Sequence, residues 1–85
     1  MINKIIGMIK AAKKLDSERY GLDGQGKKYV IGDLVLGTYS GFVKIYWSGV
    51  HIDTLLHAEA ELVRDALFDR RKELKDSSLK QFLAS

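Results

Sequence analysis

From Lys28 to Asp53 the chain carries apolar residues on both of its alternating faces, interrupted by glycine-bearing turns. Strict alternation is the mark of a half-buried strand, because successive side chains point to opposite sides of a sheet. The pattern predicts strands over Tyr29–Leu36, Phe42–Trp47 and Val50–Ile52, joined through Gly37–Gly41 and the short Ser48-Gly49 turn. A two-residue turn containing Gly suits a tight hairpin, so the expected arrangement is an antiparallel meander.

The flanks have helical spacing. Ile2, Ile5, Ile6, Ile9, Ala12 and Leu15 fall on one broad face of a helix expected over residues 1–19, with Lys4, Lys10 and Lys14 opposite. A second helix is expected over residues 54–76, with Leu55, Leu56, Leu62, Val63, Ala66, Leu67 and Leu74 as its buried stripe and Asp53 or Thr54 as its cap. Glu59 and Arg70 interrupt that stripe. Ser77-Ser78 break the pattern, and Ser78 with Gln81 has capping-box spacing. Residues 78–84, with Leu79, Phe82 and Leu83, read as a short third helix folding back on the core or as a docking tail. The predicted fold class is α+β: a three-stranded antiparallel β-meander with two main helices, in the order α-β-β-β-α, forming one compact domain over residues 1–85.

Both apolar faces of such a sheet need covers. On the second strand Val43, Ile45 and Trp47 point one way, and Phe42, Lys44 and Tyr46 the other. Lys44 marks its own side as outward. Asp33 does the same for Tyr29, Ile31 and Val35, leaving Val30, Leu34 and Leu36 inward. An outer face of Tyr29, Ile31, Val35, Phe42 and Tyr46 around two charges is more apolar than solvation requires, and aromatics with few charges are the composition of an interface centre. Tyr29, Tyr39, Phe42 and Tyr46 are the expected partner-binding anchors, with Lys44 adding charge selectivity. The expected partner is another protein, or a second copy in a homodimer.

Composition narrows the chemistry. The 85 residues include no Cys and no Pro, which excludes disulfides, thiolate metal sites and cysteine nucleophiles. No apolar run approaches a membrane span, and lysines interrupt the N-terminal apolar segment, so no membrane partner and a cytoplasmic location are expected. The net charge of +3 is concentrated at the start, where residues 1–28 hold seven basic residues against three acids. Lys10, Lys13, Lys14, Lys27 and Lys28 therefore form an alternative nucleic-acid-binding set.

Motifs for catalysis are weak. Gly21–Lys28 has the Gly-x4-Gly-Lys spacing of a phosphate loop, but Lys28 stands where Ser or Thr should hold magnesium, and a strand follows where a helix should open. Gly37-Thr-Tyr-Ser-Gly41 resembles a nucleophile elbow with its serine one place late. His51, Asp53, His57 and Glu61 could gather around zinc, without any established ligand spacing. No enzyme activity, cofactor or metal is expected. The expectation is a small non-enzymatic regulator or inhibitor that occupies a surface on another macromolecule, in the style of phage or mobile-element proteins.

Overall fold

A computed structural model of the chain describes residues 1–21 and 26–84. The fold is α+β. Helix α1 (Ile2–Ala11) is followed by strands β1 (Asp16–Tyr20), β2 (Gly26–Ile31), β3 (Leu34–Tyr39), β4 (Phe42–Trp47) and β5 (Val50–Leu56), then by helix α2 (His57–Ala84). The strands form one antiparallel sheet in the order β1-β2-β3-β4-β5, each pairing with its neighbour in sequence. The meander therefore has five strands, not three. Both additions have local causes.

The first is a turn inside the apolar run expected to form one strand. Gly32 has φ +59° and no positive φ occurs at Asp33, which is the backbone of a type II′ hairpin turn. It pairs Tyr29 with Leu36 and Ile31 with Leu34. Crossing this turn reverses the side-chain phase. Tyr29 and Ile31 thus share a face with Leu34 and Leu36, and Val30 shares one with Val35. The expected outward placing of Tyr29 and Ile31 is corrected: Tyr29 is 7% exposed, within the core.

The second is the early end of α1. Its apolar stripe runs out at Leu15, since Glu18 and Arg19 occupy the next core-facing turn. A longer helix would bury nothing further, whereas residues 16–20 as a strand pair with Val30 through Gly26. The helix expected over residues 1–19 accordingly becomes α1 plus β1. Of the loop expected at Gly21–Lys28, residues 22–25 lie outside the described part, and Gly26–Lys28 belong to β2.

At the other end, β5 continues past Ile52, pairing Leu55 with Val43 and Leu56 with Phe42. Asp53 accepts the amide of Thr54 at 2.8 Å within the strand and does not cap a helix. The chain turns at His57, whose φ is +50°, and α2 starts there. It runs unbroken through Ser77-Ser78, so no separate third helix forms at residues 78–84.

Both helices lie on one face. Ile5 and Ile9 of α1 and Ala60, Val63 and Leu67 of α2 pack with Tyr29, Leu34, Leu36, Val43, Ile45 and Leu55 into one core. Arg70, out of place in an apolar stripe, has a structural partner: its Nε donates to the carbonyl of Ala12 at 2.7 Å, while Nη1 pairs with Glu73 at 2.9 Å. A cation there satisfies a carbonyl just beyond the end of α1 and suits the negative pole of that helix.

Candidate functional site: an open aromatic sheet face and a basic groove

The face opposite the helices is built by alternation. The register carries Val35 opposite Tyr46, Gly37 opposite Lys44 and Tyr39 opposite Phe42. Four of the five anchors expected from sequence, Tyr39, Phe42, Lys44 and Tyr46, therefore share this face; Tyr29 lies on the other. The rings of Tyr39 and Phe42 stack with centroids 4.7 Å apart and planes 18° from parallel. The Lys44 ammonium lies 5.8 Å from the Tyr39 centroid. Tyr46 meets His51 at 5.3 Å in a tilted pair. Charges frame the face: Asp16 and Glu18 on β1, with Glu18 paired to Lys28 at 2.9 Å, and Lys44 on β4, with the His51 ring beyond it on β5.

A different surface forms between α2 and strands β2 and β3. A groove of about 580 Å³ is lined by Lys27, Tyr29, Thr38, Arg64, Phe68 and Arg71, among others. A second, of about 390 Å³, continues from Arg71 to Lys13, Lys14 and Lys75. Among the described residues, no carboxylate lines either groove. Arg64 donates to the Tyr39 carbonyl at 3.1 Å and Arg71 to the Tyr29 hydroxyl at 3.4 Å, with its guanidinium carbon 5.8 Å from that ring. Each guanidinium has five N–H donors, so these contacts leave donors over.

The basic residues expected to act together are thus divided. Lys13, Lys14 and Lys27 line the joined grooves, with Lys14 also 3.5 Å from Asp16. Lys10 is exposed in the last turn of α1, and Lys28 is on the opposite sheet face. Arg64, Arg71 and Lys75 were missed. Their spacing of seven and four residues, with Phe68 between, sets them on one side of a helix, where Glu61, one turn before Arg64, is the acid beside them. That signal was present in the sequence but hidden by the even charge balance of the whole segment.

The suspected catalytic and metal motifs disperse. Tyr46 pairs with His51 but Ile45 with Asp53, across a register irregularity, so His51 and Asp53 point to opposite faces. His51 instead meets Thr54 at 2.9 Å. Ser40 and Gly41 form the turn between β3 and β4. Among the described residues, no group of three or more His, Cys, Asp or Glu side chains gathers in metal-binding range, and no helix is long and apolar enough to cross a membrane. No family profile, no curated protein and no solved structure matches this chain.

Proposed function

We propose that this chain is a non-enzymatic binding protein that acts by protein–protein contact through the open face of its sheet. The observation that carries this reading is the convergence of Tyr39, Phe42, Lys44 and Tyr46 on the one sheet face that neither helix covers. Burying aromatic area is the main source of binding energy at interface centres, and a lysine among aromatics gives direction to the contact. A second copy of the chain is the occupant put to the test: a two-fold rotation sets this aromatic face against itself, as an isologous contact requires. An 85-residue chain without disulfides also gains stability from such packing.

Sedimentation equilibrium over a wide concentration range tests it. Wild type is expected to self-associate, and Phe42→Ala/Tyr46→Ala to remain monomeric with an unchanged circular dichroism spectrum. A wild type that stays monomeric, and that captures the same cellular proteins as the double variant, would defeat the reading.

A further inference from the structure

The joined grooves on the helix side do not enter that reading. We infer that they form a binding site for single-stranded nucleic acid, held by its phosphates. Lys27, Arg64, Arg71, Lys75 and Lys13 line them, with no carboxylate among the described lining residues. A second observation points the same way. Arg19 and Lys27 stand directly opposite one another in the β1–β2 register. Like charges so placed repel, and a bound anion would relieve the repulsion. On the other side of the same strands, Glu18 and Lys28 are matched. The cation–cation pair therefore belongs to the groove side alone.

Shape selects among polyanions. Arg64 and Lys75 are eleven residues apart on α2, hence about 16 Å along its axis. A thread can lie along a channel of that length, and single-strand sites start at about four nucleotides. A flat bilayer does not enter a channel between helix and sheet. Phe68, 68% exposed and lining the first groove, offers its ring to an unpaired base. An acidic peptide would use the cations but has no planar base to stack there. Arginine also matches phosphate bidentately.

The test is fluorescence anisotropy of a labelled oligo-dT and its RNA counterpart with the full chain, at several salt concentrations. Five phosphate contacts to a single strand give a log–log salt slope near −3.5, about a hundredfold weakening between about 50 and 200 mM. Arg64→Gln/Lys75→Gln, which spares the Arg71–Tyr29 contact, is expected to flatten the slope by about 1.4 and weaken binding about tenfold near physiological salt. Phe68→Ala should weaken binding with the slope kept. Phe42→Ala/Tyr46→Ala should bind oligonucleotide as wild type does, which separates this site from the sheet face. The inference is overturned if oligonucleotide is not bound at low salt, or if the Gln variant binds with an unchanged slope. It is equally overturned if anionic vesicles or a poly-glutamate peptide bind and oligonucleotide does not.

Discussion

Arg70 illustrates how one side chain can look misplaced in a pattern and still be required by the fold. It interrupts the apolar stripe of α2, yet its guanidinium bonds the Ala12 carbonyl where α1 ends and Glu73 one turn along. Hydrogen bonds from charged donors contribute about 1.5–3 kcal/mol when only partly solvated. Arg70→Met keeps the aliphatic packing and removes the donor. It is expected to destabilise the protein by about 1–2 kcal/mol, measured as a lower urea midpoint with an unchanged slope. Tyr29 makes the complementary point. Its ring belongs to the core while its hydroxyl takes a bond from Arg71 at the groove wall, so a residue expected to bind a partner instead supports the groove.

At the scale of elements, the two sheet edges differ. Edge β1 reads Asp-Ser-Glu-Arg-Tyr, and its charges discourage pairing with another chain. Edge β5 exposes Val50, Ile52 and Leu56 and is broken by the irregularity opposite Ile45 and Tyr46, which disrupts a continuous ladder. Helix α2 also has two parts. Its first half buries Ala60, Val63 and Leu67, whereas Leu79, Phe82 and Leu83 near its end remain exposed. Helical turns without tertiary burial add little to stability. Deleting residues 77–84 is expected to lower helical ellipticity while changing unfolding free energy by less than about 0.5 kcal/mol. A larger loss would mean that these turns pack on the core or across a dimer.

The whole molecule has one core, in one layer between the sheet and its two helices. Ile45 and Leu36 pair at its centre and are fully buried. A domain of this size has about 4–13 kcal/mol of stability in total. Ile45→Ala removes buried methyl groups and leaves a cavity, at a cost of about 2–5 kcal/mol. The variant should thus be partly unfolded near 40 °C, seen as a lowered and broadened thermal transition. One-sided packing also leaves two different surfaces: an aromatic one on the bare sheet face and a basic one where α2 lies over β2 and β3. Their tests are independent, since Phe42 and Tyr46 lie away from Arg64 and Lys75 on opposite sides of the sheet.

Local chemistry was enough for much of this. Alternation located β4 to the residue, the isoleucine spacing marked the start of a helix that ends at Ala11 and not at residue 19, and Ser48-Gly49, expected as a tight hairpin, forms a type I′ turn with φ of 49° and 83°. The shared face of Phe42, Lys44 and Tyr46 followed from the two-residue period alone. Gly32-Asp33 was readable as a turn but lay between two short apolar stretches that alternation joins into one strand, which reversed the side assigned to Tyr29. Tertiary pairing decided the rest. Residues 16–20 and 53–56 have helix-compatible sequences and became strands because a neighbouring edge satisfied their backbones. Lys27, Arg64 and Arg71 come from two elements, and only the packing of α2 against the sheet brings their charges to one groove, because periodicity orders residues within an element and not between elements.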